Sequence, residues 1–248
     1  MSNNLVSIIT PCFNSENFIA ETIESVVNQT FKNWELIIVD DLSTDNSLQI
    51  INSYAKKDLR IKVHQLKNNS GTAIARNKAI ELSKGNFIAF LDSDDLWIPS
   101  KLEHQLKFML DNKLPLSYTS YKIMNANSIE IEKPIYCDSK MTYKKMLYSN
   151  KIGCLTAMYN KDIIGKIYMP NIRKRQDYGL WLFILKKYSH ASGMRGIYAS
   201  YRKTNNSISN NKIEMIKWNF KLFYEVEKFS FFRASYYTLC NVINKLFF

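Results

Sequence analysis

The sequence is poor in the residues that punctuate a chain. Seven glycines and five prolines among 248 residues exclude a long flexible or proline-rich linker. The four cysteines, Cys12, Cys137, Cys154 and Cys240, form no C-x-x-C pair. That argues against a zinc ribbon or a dithiol redox motif, and reduced thiols are expected. His64, His104 and His190 are too scattered to suggest a zinc site. No uncharged apolar run approaches the ~20 residues that a membrane-spanning helix needs. The opening Met-Ser-Asn-Asn-Leu-Val lacks the basic start and apolar run of a secretory leader, so a cytoplasmic location is expected. There is no internal repeat and no low-complexity tract.

What is present is a globular composition, 46% hydrophobic and 23% charged, enough for one large domain with an appendage. The net charge of +12 is unevenly spread. Residues 1–100 hold nine Lys/Arg against twelve Asp/Glu, a net of −3. Residues 101–248 hold twenty-five against ten, a net of +15. A metal site belongs in the acidic part, and the basic part suits phosphates, nucleic acid or a membrane surface.

The first hundred residues alternate strand and helix. Val6 to Thr10 reads as a buried strand, stopped by Pro11. Asn14 or Ser15 is placed to cap a helix bearing Ile19, Ile23, Val26 and Val27. Glu35 to Val39 is a second strand, ending in Asp40-Asp41, and Ser43-Thr44-Asp45 opens the next helix. Ile61 to His64 is a third strand, and Gly71 begins a helix through Ala75 and Ala79. Phe87 to Leu91 is a fourth, running into Asp92-Ser93-Asp94-Asp95. Ser100 and Glu103 have capping-box spacing before another helix. Strands separated by helices imply parallel pairing and right-handed crossovers. Ligands bind at the carboxyl ends of such strands, where the aspartates fall. Farther on, Ser117 to Ile123 and Leu155 to Tyr159 read as strands, and Thr142 to Ser149 and Gln176 to Lys187 as helices. Residues 212–248 hold eleven aromatics, interleaved with Lys and Arg.

Asp92-x-Asp94 after a buried strand places two carboxylates near one point, which suits a hard cation such as Mg²⁺ or Mn²⁺. Turn-residue or capping roles are the alternative, and they suit Asp95. Asp40 can accept a hydrogen bond from a base N–H or a ribose hydroxyl, or it can close an Asx-turn to Ser43. Arg76 can meet a nucleobase or phosphate, or pair with a nearby aspartate. Asp177 is the only carboxylate between Asp162 and Glu214. It reads as a helix cap or as a base, and the two roles are compatible.

The runs Val6-Ser-Ile-Ile-Thr-Pro-Cys-Phe-Asn14, Ile38-Val-Asp-Asp-Leu-Ser-Thr-Asp45, Ala75-Arg-Asn77 and Phe90-Leu-Asp-Ser-Asp-Asp95 resemble family 2 of the inverting glycosyltransferases. Trp97-x-Pro99-x-Lys101-Leu-Glu103 continues the likeness, which spans roughly residues 5 to 205. It implies an α/β GT-A fold: a mostly parallel central sheet flanked by helices. Residues 1–210 would be the catalytic domain, with a nucleotide half over 1–100 and an acceptor half over 101–210. Residues 211–248 would form a helical appendage.

By the same resemblance, Pro11, Phe13, Asn14 and Glu16 line the nucleotide and Asp40 reads the base. Arg76 lies near the base. Asp92 and Ser93 meet the ribose or sugar, and Asp94 holds the Mn²⁺ or Mg²⁺. Asp177, in Gln176-Asp177-Tyr178-x-Leu180-Trp181, resembles the family's catalytic base. Many relatives carry Tyr-Arg-x-His; here the segment is Tyr201-Arg202-Lys203-Thr204, so a third metal ligand is missing from its expected place. Arg202 is expected to bind diphosphate instead.

The implied reaction moves a sugar from a nucleotide-diphosphate donor, a UDP-sugar, to an acceptor hydroxyl with inversion. The implied acceptor is a lipid-linked saccharide of bacterial surface-polysaccharide synthesis. The basic aromatic tail suits an anionic membrane surface, and with it a peripheral position on the inner face. The rival readings are a sugar-phosphate nucleotidylyltransferase, which would want a glycine-rich phosphate loop where Pro11-Cys-Phe-Asn14 stands, and a nucleic-acid-binding module, suggested by net charge alone.

Overall fold

The computed structural model describes residues 4–204 and 212–247. In chain order the elements are β1 (Val6–Cys12), α1 (Ile19–Val27), β2 (Trp34–Asp40), α2 (Ser47–Ala55), β3 (Ile61–Gln65), α3 (Thr72–Leu82), β4 (Phe87–Phe90), β5 (Leu96–Trp97) and α4 (Lys101–Asp111). There follow β6 (Leu116–Met124), β7 (Glu130–Ile135), β8 (Lys140–Met141), α5 (Tyr143–Tyr148), β9 (Met158–Asn160), α6 (Lys161–Ile164), α7 (Gln176–Lys187), β10 (Ala191–Arg202), α8 (Lys212–Lys221) and α9 (Phe231–Phe247). The expected boundary at residue 210 lies outside the described residues.

One continuous sheet runs β3-β2-β1-β4-β9-β6-β10-β5, with β7 on β6 and β8 on β10. The first four strands pair in parallel. Short β9 is antiparallel to both β4 and β6, so β6 and its parallel neighbour β10 point the same way as β1 to β4. Six strands therefore deliver their carboxyl ends to one edge. The sequence pattern foresaw the parallel half but not the inversion through β9, because that strand has only three residues. Residues Cys154–Thr156 form a 3₁₀ turn, which shortens the strand expected from Leu155.

The alternation of buried side chains splits the core into two layers. Ile9, Ile37, Val39, Ala75, Ile88, Phe90, Leu180 and Trp181 pack on one face of the sheet. Val6, Ile8, Ile23, Leu36, Ile38, Ile51, Leu102 and Leu106 pack on the other. In a strand, neighbouring residues face opposite sides, so each strand feeds both layers. Gly85 lets the chain approach β1 closely: a Cβ there would lie 2.6 Å from the Leu5 carbonyl oxygen and 2.7 Å from Ser7 N.

Helix starts differ from the simplest capping expectations. Phe18 N and Ile19 N both donate to the Ser15 carbonyl, so a turn precedes α1 and neither Asn14 nor Ser15 caps it by its side chain. α2 begins at Ser47, whose N–H donates to Asp45 Oδ1 at 3.0 Å. The Ser100–Glu103 capping box does not form; Glu103 accepts from Thr30 Oγ1 instead. Leu102 N finds Gln29 Oε1 at 3.0 Å, a cap from a distant residue that local sequence cannot reveal.

Lys101 is fully buried, its ammonium donating to Gln105 Oε1 at 2.6 Å and lying 4.3 Å from the centre of the Trp97 ring. Burial pulls its pKa from 10.5 down to about 7. Above about pH 7 the folded state has released this proton while the unfolded state keeps it until 10.5, so stability rises with pH through that window. Lys101→Met removes this contribution. Urea melts should show wild-type stability gaining on the order of 1 kcal/mol per pH unit relative to the variant between pH 7 and 10; parallel pH profiles would contradict the assignment.

Candidate active site

The loop after β1 is sewn to the loop after β2. Asn14, at φ 48°, accepts from Thr44 N at 2.8 Å, and Glu16 accepts from Asn46 N at 2.9 Å. Glu16 N donates to Asp45 Oδ2, and Ser15 N to Ser47 Oγ at 2.7 Å. Asn14 and Glu16 thus shape the rim through their own side chains, while Phe13, 46% exposed, is left facing solvent there. Pro11 is buried inside β1 opposite Val39, past the last β1–β4 pair at Ile9–Phe90. It stiffens the strand end where one side of the ladder has already stopped, just before the Phe13–Glu16 loop.

Asp40 ends β2 fully buried. Its carboxylate accepts from Ser43 N, Ser43 Oγ and Gln65 Nε2. The Asx-turn reading is therefore realised. A carboxylate offers about four lone-pair positions, so these three bonds leave one acceptor direction unused among the described residues. Asp41 takes Ser70 N at 2.7 Å and Gly71 N at 2.8 Å, fixing the approach to α3. Burial, then the Asp40 charge, pushes the nearby Cys12 thiol up to about 12, so it stays protonated.

The turn after β4 is tied in from three directions. Ser93 Oγ shares a 2.7 Å hydrogen bond with Ser15 Oγ. Asp92 pairs with Arg76 from α3, which is 5% exposed. Asp95 is buried and accepts from Arg202 N at 2.8 Å. Three carboxylates on one turn oppose each other's ionisation. Burial first, and the Asp92 charge second, raise Asp94 to about 6; burial and its two neighbours hold Asp95 well above the usual carboxylate range.

Arg202 departs from its expected role. Its guanidinium is fully buried beneath the turn, and Nε donates to the Asp94 carbonyl at 2.7 Å. Nη1 reaches the Ala126 carbonyl at 2.8 Å and Ser128 Oγ at 3.0 Å, and Nη2 meets Glu21 at 2.7 Å. Those donors are spent within the protein, so Arg202, at the end of β10, fastens the acidic turn to the turn after β6 and to α1, and they are not turned towards a diphosphate.

Asp177 is the second residue of α7, and the capping position belongs to Arg175. The cap reading is thereby corrected. Arg175 adopts φ 68°, a left-handed conformation that costs free energy for a residue with a Cβ. Asp177's charge acts on Arg175, on Arg76 across the cleft and on buried Cys154. Burial disfavours the Arg76 cation, but Asp92, Cys154 and Asp177 together outweigh it and raise its pKa. Asp92, Asp94, Arg76 and Asp177 form one electrostatically connected site. Sequence reasoning passed over Arg175 and Cys154; neither stands in a distinctive spacing, and only the fold brings them together.

Two buried donors, Arg76 Nε and Arg175 Nε, lack a hydrogen-bond partner among the described residues. Unmade bonds of this kind are costly and mark places for an anion. The carboxylate of Asp94 has no ion pair among the described residues. No cluster of three His, Cys, Asp or Glu side chains that could hold a metal is found among those residues. A hard cation at Asp94 would thus complete its shell with ligand phosphates and water, the usual habit of Mg²⁺.

An α/β enzyme that receives an anionic, cation-bound ligand at the carboxyl edge of its sheet is what this arrangement defines. The glycosyl transferase family 2 model matches residues 7–168, and the chain belongs to that family. TuaG of Bacillus subtilis, named for teichuronic acid biosynthesis, is 45% identical over 94% of this chain and 92% of its own length. WfgD of Escherichia coli, a UDP-Glc:alpha-D-GlcNAc-diphosphoundecaprenol beta-1,3-glucosyltransferase, is 42% identical over 88% of this chain and 84% of its own. Among solved structures, S. aureus TarS with UDP-GlcNAc superposes with a TM-score of 0.71 at 22% identity, covering 94% of this chain and 70% of that one. The mannosyltransferase PcManGT from Pyrobaculum calidifontis, in complex with GDP-Man and Mn²⁺, gives 0.72 at 15% identity over 96% and 69%. The chain is a glycosyltransferase of GT-A fold.

Replacing Arg202 with Met strands the Asp94 and Ala126 carbonyls. Urea unfolding should show a loss of about 2–4 kcal/mol, which Arg202→Lys does not restore because one ammonium cannot span those acceptors. An unchanged unfolding midpoint in both variants would refute the fastening role.

Proposed function

We propose that the protein is an inverting glycosyltransferase that moves a sugar from a UDP-sugar to a hydroxyl of a lipid-diphosphate-linked saccharide in surface-polysaccharide assembly. The reading is carried by buried Arg76, which pairs with Asp92 of the acidic turn and also feels the charge of Asp177 from α7. WfgD and WfaP, the latter 40% identical over 85% of this chain, are both named for transfer from UDP-Glc to a GlcNAc-diphosphoundecaprenol acceptor. Their names support this donor and acceptor class. An enzyme with such an acceptor works at the cytoplasmic membrane face, and the proposed position is peripheral.

Each residue has a defined task. Asp40 uses its remaining acceptor direction for the base or ribose, and Phe13 shields the nucleotide from the rim. Arg76 and Arg175 turn their unpartnered Nε–H groups to the diphosphate, whose charge suits the buried cations. Asp92 holds the donor's sugar or ribose while keeping Arg76 in place. Asp94 holds Mn²⁺ or Mg²⁺, which when bound neutralises charge on the departing nucleoside diphosphate. Asp177 accepts the proton of the acceptor hydroxyl as that oxygen attacks the anomeric carbon. The glycosidic C–O bond forms while the bond to the diphosphate breaks, through an oxocarbenium-like state. One base and no enzymic nucleophile give a single displacement and an inverted anomeric centre.

Asp177→Asn keeps the shape and removes the base. Transfer to a synthetic GlcNAc-diphospho-lipid should fall by about 10²–10⁴-fold while UDP-sugar affinity in calorimetry stays within a few-fold of wild type. Full transfer by Asp177→Asn would remove that residue as the base. Asp94→Ala should abolish the Mn²⁺-dependent gain in donor affinity; an undiminished gain would place the cation elsewhere.

A further inference from the structure

We propose that the exposed face of the α8–α9 pair is a docking surface for an anionic lipid bilayer. The proposal deepens the lipid-acceptor reading by naming the part of the chain that meets the membrane. Along α9, Phe232 is 84% exposed, Tyr236 53%, Leu239 58% and Ile243 44%. Their spacing of four, three and four residues puts them on one side of the helix. The opposite side is fixed to the body: Ala234 is buried, Asn241 Nδ2 donates to the Leu147 carbonyl at 2.8 Å, and Thr238 is buried. The outward stripe is thus held against the body, with Tyr236 edge-on to Tyr148 of α5, while Phe232 and Leu239 stand mostly exposed.

α8 extends the same surface. Ile216 is exposed and, with Phe220, lines a shallow groove of about 470 Å³ shared with Leu239 and Val242. Cations border it. Lys217 and Lys228 are exposed and form no ion pair among the described residues, and Arg233 lies 3.9 Å from the Phe229 ring centre. Residues 212–248 carry six Lys/Arg against three Glu. An apolar stripe edged by unpaired lysines matches the boundary between acyl chains and anionic headgroups. A protein partner would need complementary shape as well as charge, whereas a bilayer needs only these two properties. No described helix is long and apolar enough to cross a membrane, so the contact is one of lying on the surface.

The face is also coupled to the reaction centre. Lys174, three residues before Asp177, pairs with Glu214 of α8 at 2.6 Å. Buried Glu227, just after the helical turn that follows α8, binds the Tyr143 hydroxyl and pairs with Lys186 of α7 at 2.9 Å. A bilayer seated on α8 and α9 therefore has a fixed orientation relative to α7, the helix that starts with the base.

The test is flotation of the full chain with vesicles of phosphatidylcholine alone or with about one-quarter phosphatidylglycerol. The expected result is binding to the anionic vesicles, weakened by added salt. The double variant Phe232→Ser, Leu239→Ser should bind them at least about tenfold more weakly, because burial of both side chains is lost. Both sites are exposed, so circular dichroism should match wild type. UDP-sugar affinity should be unchanged in the double variant, and Asp177→Asn should still float, which separates this proposal from the catalytic assignment. Absence of flotation by wild type overturns it. So does a wild-type dimer in light scattering that the double variant abolishes without any change in vesicle binding, since the occupant would then be a second copy.

Discussion

Three carboxylates crowded onto the turn after β4 repel one another, and the protein holds them there with two buried arginines. Arg76 neutralises Asp92 from the side of α3, and the Arg202 guanidinium grips the backbone of Asp94 while its main-chain N–H donates to the Asp95 carboxylate. Neither arginine is replaceable by simple charge, because each acts through directed N–H groups in a site shielded from water. The residual strain of that arrangement is visible in Asp94, raised to about 6 by burial and by Asp92. A cation at that carboxylate relieves the repulsion. The order of the sheet, the reach of α3 and the return of β10 all serve to bring these groups to one edge.

Much of this was legible in the chain. Apolar β-branched runs ending in aspartate located β2, β4 and the ligand edge, because a buried strand's period and a polar stop are local properties. α7 was readable to the residue, since its apolar side chains occur nearly all round. The acidic turn stood out from four ordered motifs rather than from any one, and Asp177 was singled out by the separate run Gln176-Asp177-Tyr178-x-Leu180-Trp181. The unreadable features were those made by distant partners. Gln29 caps α4 and Glu16 reaches over to Asn46. Arg202 is a buried fastening, because its acceptors come from the turn after β6, from α1 and from the acidic turn together. Nothing in the spacing around Tyr201 announces that convergence. Arg175 is similar: its unpartnered Nε gains meaning only once the fold shows that Asp177 acts on both Arg175 and Arg76.

The appendage shows the same division. Its aromatic and basic composition was evident, yet composition cannot say which side chains are spent on packing. Tyr237, Thr238 and Asn241 turn inward against α5 and α8, while Phe232, Tyr236 and Leu239 are left outside. An enzyme whose acceptor is tethered to a bilayer gains from such a division, because docking converts a search in solution into a search along a surface.

The most direct measurement is a crystal structure with Mn²⁺ and an intact, non-transferable UDP-sugar, with manganese located by its anomalous signal. The account predicts manganese at Asp94, with Asp177 on the far side of the anomeric carbon from the diphosphate. Manganese away from Asp94, or a donor whose anomeric carbon turns its reactive face away from Asp177, would contradict it.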